Sequence, residues 1–196
     1  MVKLNNILFF SNNKGKVKEV KNLFKETNIN ILSLSEIGIK NEPVEYGKTF
    51  FENAKIKSCY GFNETGIPCF ADDSGICIEA LNWKPEIHSR NFIDSFSNNN
   101  ECFNYIIKQV NKTGKKRAYF KTCICYTIKK NTNIYFEGTI KGNISGKILG
   151  DNGFGYDAIF KPDGFKKTFG QMTRVEKNLL SHRSIALNKL INFLPN

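Results

Sequence analysis

The chain has 196 residues and carries 29 Lys plus Arg against 18 Asp plus Glu, a formal charge of +11. With 40% hydrophobic and 24% charged residues it is neither a disordered tail nor a membrane protein, and a chain of this length buries roughly 70% of its unfolded surface without a disulfide or metal staple. No stretch approaches the ~18 apolar residues of a membrane span, and Lys3, Asn5 and Asn6 break up residues 1–10, which do not read as a signal peptide. The expectation is one domain over residues 1–196, in the cytoplasm.

Along the chain, Ile7-Leu8-Phe9-Phe10 reads as a short buried strand and Ser11-Asn12-Asn13-Lys14-Gly15 as a polar turn. Val17, Val20, Leu23 and Phe24 then recur at helical spacing. Residues 29–34 give a second strand. Residues 49–60 read as a helix with Phe50, Ala54 and Ile56 inward and Lys48, Glu52, Lys55 and Lys57 partly exposed; Thr49 and Glu52 can form a capping box at its start. Residues 68–71 form a strand that ends in Asp72-Asp73-Ser74-Gly75, and residues 101–110 form a helix through Phe103, Ile106, Ile107 and Val110. Residues 119–130 alternate with period two, as do residues 134–144, with Asn131-Thr132-Asn133 between them, a long antiparallel hairpin. Residues 176–194 carry Leu179, Leu180, Ile185, Leu187, Leu190, Ile191 and Leu194 and read as one closing helix begun at Thr173 or Arg174. The fold class is α/β, a mixed sheet with long antiparallel central strands flanked by helices.

The six cysteines contain no CxxC pair, so a zinc site is disfavoured and reduced thiols are expected. The charge attracts polyanions without naming one. Only Arg90, Arg117, Arg174 and Arg183 are arginines. Base-edge readers favour Arg, and the lysines accompany abundant Asn, Ile and Phe, a compositional bias as much as a functional one. A basic nucleic-acid-binding protein is the competing class, but no helix-turn-helix, zinc finger or RNA-binding aromatic motif supports it.

Five clusters carry possible chemistry. The turn Ser11–Lys16 presents backbone N–H groups at a helix start, with Lys14 and Lys16 adding charge; by itself it also fits a solvated loop. Glu45-Tyr46-Gly47-Lys48-Thr49 leads into a helix. Adjacent Asp72 and Asp73 after an apolar strand are costly unless a cation offsets them; a divalent ion and a simple turn fit equally. Phe154-Gly155-Tyr156-Asp157 can set a ring against a flat base or end a strand in the core. Lys177 and Ser181 share a helical face, with His182 and Arg183 following.

Taken together and in order, Ser11-x-Asn13-x-x-Lys16-x-x-Glu19, Glu45-x-Gly47-x-Thr49-Phe50-x-Glu52-Asn53-Ala54, Ala71-Asp72-Asp73-Ser74-Gly75, Phe154-Gly155-Tyr156-Asp157 and Ser181-His182-Arg183 resemble the inosine triphosphate pyrophosphatase family over nearly the whole chain. The resemblance implies two lobes around a nucleotide cleft, a homodimer, Mg²⁺, and hydrolysis of the non-standard purine nucleoside triphosphates ITP, dITP and XTP to monophosphate and pyrophosphate. It implies no membrane and no specific nucleic acid as partner. It implies that Ser11, Asn12, Asn13, Lys14, Gly15 and Lys16 hold the triphosphate. Glu45 and Asp73 would hold the metal, with Asp72 nearby. Asp73 would also serve as base for the attacking water, and Lys16 would neutralise developing charge. Ser74 would contact substrate, Phe154, Gly155 and Tyr156 would flank the base, Asp157 would fix that loop, and Lys177, His182 and Arg183 would read the 6-oxo edge or the phosphates. One stretch departs from the pattern. The family's Gly-Gly-x-Pro-Gly stands here as Asn82-Trp83-Lys84-Pro85-Glu86, and Arg90 arrives one position early.

Overall fold

The structure, a computed structural model, describes residues 5–195; Lys3 of the N-terminal polar run lies outside the described residues. Seven strands form one mixed sheet in the order β2-β1-β3-β5-β6-β7, with β4 paired to β3. The chain begins with β1 (Asn5–Phe9), α1 (Lys14–Leu23), β2 (Ile29–Ser33) and the single turn α2 (Leu34–Ile37). It continues with α3 (Phe50–Thr65), β3 (Cys69–Ile78), β4 (Lys84–Pro85), α4 (Ser89–Asp94) and α5 (Asn99–Thr113). The long β5 (Arg117–Lys129) and β6 (Thr132–Ile144) precede β7 (Phe160–Pro162), α6 (Arg174–Asn178) and α7 (His182–Phe193). Strand β1 runs parallel to β2 and β3, whereas β3/β4 and β6/β7 are antiparallel. The expected mixed α/β class is what the chain adopts.

The chain divides into two compact units. The first comprises residues 1–73, 122–137 and 184–196. In it β1 and the start of β3 alternate strictly. Ile7, Phe9 and Phe70 pack with Val20 of α1 and with Ala186, Leu187 and Leu190 of α7. Leu8, Phe10, Cys69 and Ala71 join the opposite layer with Leu34, beside Tyr60 and Phe62 of α3. Period-two geometry enforces this division. Residues 122–127 of β5 are buried on both faces, as befits a central strand. The second unit comprises residues 74–121 and 138–183. Its core gathers Ile76 and Ile78 of β3, Phe103, Ile106 and Val110 of α5, Phe120 of β5, and Ile159, Phe160 and Phe169.

Several expectations need correction. Asp72 and Asp73 lie inside β3, not in a turn after it. The hairpin turn is Lys130-Asn131, with Asn131 at φ 63°, and Thr132 and Asn133 already belong to β6. The closing helix is two helices. Thr173 and Glu176 form a capping box at the first, which stops at Asn178, and the second starts at His182. The break puts Leu180 against the second unit's core and Leu187 and Leu190 in the first's, while Leu179, part of the same apolar run, is 80% exposed. Lys57, expected partly exposed, is 8% exposed.

Candidate active site

Alternation along β3 decides what the two aspartates can do. Asp72 shares the face of Phe70, toward α1, and Asp73 the face of Ala71, toward α3. Asp72 therefore meets Lys16 of α1, whose Nζ lies 3.0 Å from both carboxylate oxygens. Asp73 meets α3, where Asn53 Nδ2 donates to Oδ2 at 3.2 Å and Lys57 Nζ lies 3.6 Å from Oδ1. Lys57 Nζ also lies 3.2 Å from Glu45 Oε1. The repulsion of adjacent carboxylates is thus offset on two faces by two lysines from two helices. Burial pushes the Asp73 carboxyl upward, and the pull of Lys57, Lys16 and the Asn53 amide does not fully cancel it. For Lys57 burial works downward, but Asp73, Glu45 and Asp72 outweigh it and the ammonium is held above its ordinary range. The pair is a buried carboxylate whose charged form is disfavoured by desolvation, beside a lysine that stays charged.

The turn before α1 is organised by its own side chains. Asn13 is the N-cap, its Oδ1 accepting from Gly15 N at 3.0 Å and Lys16 N at 3.2 Å. Ser11 Oγ accepts from Asn13 N at 3.2 Å, and Asn12 N donates to Glu42 Oε1 at 3.3 Å. Lys14 is exposed.

The second unit holds the other expected residues. Asp157 Oδ2 accepts from Lys177 Nζ at 2.7 Å and from Phe154 N at 2.8 Å. The chain reaches this clasp through Gly153 at φ 81°, where a Cβ would overlap Asp157 Oδ2. Lys177 Nζ stands 4.7 Å above the Phe154 ring and the Arg183 guanidinium 5.6 Å from it, both within cation–π range. Arg183 also donates to Ser74 Oγ at 3.3 Å. His182 stacks flat on Phe120, centroids 4.7 Å apart. Phe154 and Gly155 are half-buried. Tyr156 is 4% exposed; its hydroxyl donates to the Ser89 carbonyl at 2.7 Å and its ring packs near Phe103. Arg90 is exposed and pairs with Asp94 one turn along α4.

Lys57 and Asn53 join this cluster although sequence reasoning gave neither a role in it. The signal was present: Phe50, Asn53, Ala54, Lys57, Ser58 and Gly61 are one stripe at helical spacing, and all six are buried.

The donor set suits a hard divalent cation. Glu45 and Asp73 converge on one positive centre, the Lys57 ammonium, and Mg²⁺ in nucleotide sites takes one or two carboxylates with the remainder from phosphate and water. Among the described residues, no group of three or more His, Cys, Asp and Glu side chains is arranged for a metal.

The Ham1 family profile matches residues 7–193. The chain belongs to the Ham1 family. It is 38% identical over 190 residues to a dITP/XTP pyrophosphatase of Flavobacterium psychrophilum, covering 97% of this chain and 99% of that one. It is 40% identical over 189 residues to a dITP/XTP pyrophosphatase of Clostridium perfringens, covering 92% of each. Among solved structures, the HAM1 protein of Coxiella burnetii superposes with a TM-score of 0.87 at 30% identity, covering 97% of this chain and 98% of that one. The Staphylococcus aureus Ham1 protein gives 0.82 at 32%, covering 96% and 97%. Ham1 membership thus extends over both compact units.

Proposed function

We propose that this protein hydrolyses ITP, dITP and XTP to the nucleoside monophosphate and pyrophosphate, as one nucleoside triphosphate pyrophosphatase domain that cleanses the nucleotide pool. The observation that carries the reading is the convergence of Lys16, Lys57, Glu45, Asp72 and Asp73 in one cluster of cations and carboxylates. Relatives bearing the name dITP/XTP pyrophosphatase match over nearly their full length.

Lys16, Glu45, Lys57, Asp72 and Asp73 read the triphosphate. The Ser11–Lys16 turn sits where a helix start favours an anion. Lys16 neutralises charge that builds on the oxygen bridging the α and β phosphates, and Asp73 orients the attacking water and takes its proton. Water forms the new bond to the α phosphorus, the bond from that phosphorus to the bridging oxygen breaks, and pyrophosphate leaves. Glu45 and Asp73 are the residues that would hold Mg²⁺, which when bound supplies Lewis-acid stabilisation of the phosphate oxygens.

A separate group of residues reads the base. Phe154, Gly155 and Tyr156 form its aromatic loop, fixed by Asp157, and Lys177, His182 and Arg183 offer donors to the 6-oxo edge, with Ser74 alongside. Adenine presents an amino donor at that edge, and a site that leaves donor against donor rejects it by ~10⁴-fold or more. A cytoplasmic homodimer is the assembly the resemblance supports.

The test is purified protein with Mg²⁺ and, separately, ITP, dITP, XTP, GTP, ATP, dUTP and TTP, with pyrophosphate measured. Rapid release from the first three alone is expected. Equal turnover of ATP and ITP overturns the 6-oxo reading, and no release from any substrate overturns the enzyme.

A further inference from the structure

Asn53 lies in the first turns of α3 and is 5% exposed. Both ends of its carboxamide are engaged. Its Oδ1 accepts from Gly47 N at 2.9 Å, and its Nδ2 donates to Asp73 Oδ2 at 3.2 Å. The orientation of the amide follows from chemistry: a backbone N–H must face the oxygen and a carboxylate must face the NH₂, so only one flip satisfies both partners.

The two partners belong to different parts of the metal and water chemistry. Gly47 stands two residues after Glu45, in the irregular segment that leads to the Thr49 cap. That segment comes close: a Cβ on residue 47 would overlap Asn53 Oδ1 and sit 2.7 Å from Glu52 Cβ, so the approach requires glycine. Asp73 has its Oδ2 taken by Asn53, while Oδ1 is the oxygen nearer Lys57. The amide thus sets which carboxylate oxygen turns toward the shared cation position and which is spent on a structural bond.

We propose that Asn53 is a positioning residue that holds the Glu45 segment and the Asp73 carboxylate in fixed register, each through one end of its amide. The inference rests on the reading of Glu45 and Asp73 given above. A buried amide with no such duty needs only satisfied hydrogen bonds. Here both bonds go to the backbone and carboxylate that flank the proposed metal and water position, so satisfying the amide and aligning the two acids are one event.

Three variants separate the halves of this device. Asn53→Asp keeps an oxygen for the Gly47 N–H but replaces the donor facing Asp73 with a second carboxylate. Asn53→Ala removes both bonds. Gly47→Ala pushes the segment away while leaving Asn53 and Asp73 intact, and its place in an irregular segment keeps the fold safe if a substitution in α3 does not. Two readouts are used: kcat and KM for pyrophosphate release from dITP with Mg²⁺, and backbone amide hydrogen exchange at Gly47 followed by NMR without metal. The expected result for Asn53→Asp is Gly47 protection near wild type with kcat down about 10–100-fold, the usual cost of losing a partner that orients a ligand, and KM little changed. Asn53→Ala and Gly47→Ala lose kcat as well, and in Asn53→Ala the Gly47 amide exchanges faster. An active wild type whose kcat survives Asn53→Asp overturns the inference, as does Gly47 exchange equally fast in wild type and Asn53→Ala. An inactive wild type is a different result: it removes the pyrophosphatase reading and this inference with it.

Discussion

A lysine ammonium in a protein interior is costly unless carboxylates surround it, and Lys57 shows how the cost is met. Its stem runs along the buried stripe of α3 and its head reaches Glu45 and Asp73. Removing one member of a fully buried pair costs about 3–5 kcal/mol, because the other charge stays behind. The Glu45 side chain is 40% exposed and discounts that figure. Lys57→Met, which keeps the stem's volume, is expected to destabilise by about 2 kcal/mol, or roughly 4–8 °C in Tm for a chain of this size. The variant leaves two carboxylates facing a vacated cation position, so added Mg²⁺ should raise its Tm more than it raises that of wild type. Thermal unfolding with and without Mg²⁺ checks both halves. Unchanged stability in the variant removes Lys57 from the role of clamp, and equal Mg²⁺ effects remove the shared cation position.

At the scale of elements, the segment over residues 82–88 keeps a glycine backbone without the glycines. Asn82, Trp83 and Glu86 adopt φ of 53°, 65° and 58°, the left-handed region, at the three positions where the resembled pattern has Gly. Each such residue costs about 1–2 kcal/mol against an unstrained one. Trp83 recovers part of this by packing on Tyr119, centroids 5.5 Å apart. Glu86 makes an exposed ion pair with Lys84, of the kind worth little. The segment is held in place by neighbours whose bonds do not involve its side chains: Ser89 Oγ donates to the Glu86 carbonyl at 2.6 Å and accepts from Ile76 N at 2.9 Å, and the Ser89 carbonyl receives Tyr156. Glu86→Gly should therefore raise stability by about 0.5–1 kcal/mol, the strain relief less the entropy glycine adds to the unfolded chain. A rise of a few degrees in Tm is the expected reading, and a fall shows that the Glu86 side chain contributes more than its ion pair. Trp83→Gly gives up ring packing as well, so it gains less.

The same scale explains what the sequence made legible. Strand β1, the polar turn after it, the helix begun at Thr49 and the β5–β6 hairpin depend on neighbours within a few residues, and their patterns are readable in the sequence. Asp72 and Asp73 read as the end of a strand, at a divalent ion or in a turn, because carboxylates are poor strand formers. What keeps them in β3 is Lys16 and Lys57, which arrive from other helices, and no local pattern contains that information. The closing helix read as continuous because its apolar spacing is continuous; the break after Asn178 appears only when Leu180 and Leu187 are seen to serve different cores. The candidate site residues read as five local motifs, whereas the pairing of Lys177 with Asp157 and of Arg183 with Ser74 is a product of long-range folding.

For the molecule as a whole, the +11 charge has to be divided between chemistry and attraction. Lys16, Lys57, Lys177 and Arg183 are engaged with carboxylates, hydroxyl or aromatic faces and are largely buried. Lys18 and Lys25 of the α1 region stand exposed, and exposed charges outside the site act on a distant anion through solvent. Salt distinguishes the two groups. Exposed charges are screened over about 8 Å at physiological ionic strength, whereas buried pairs are screened much less. Raising the salt should therefore raise KM for dITP severalfold, because the field that concentrates the anion collapses, while kcat holds, because the groups that follow charge in the reaction are shielded from the solution. Steady-state kinetics across a salt series, with free Mg²⁺ held constant, checks this. If kcat falls in step with kcat/KM, the working cations are open to solvent and the division between buried and exposed lysines does not describe the enzyme. If KM stays flat, the surplus lysines contribute nothing to capture and their excess is compositional.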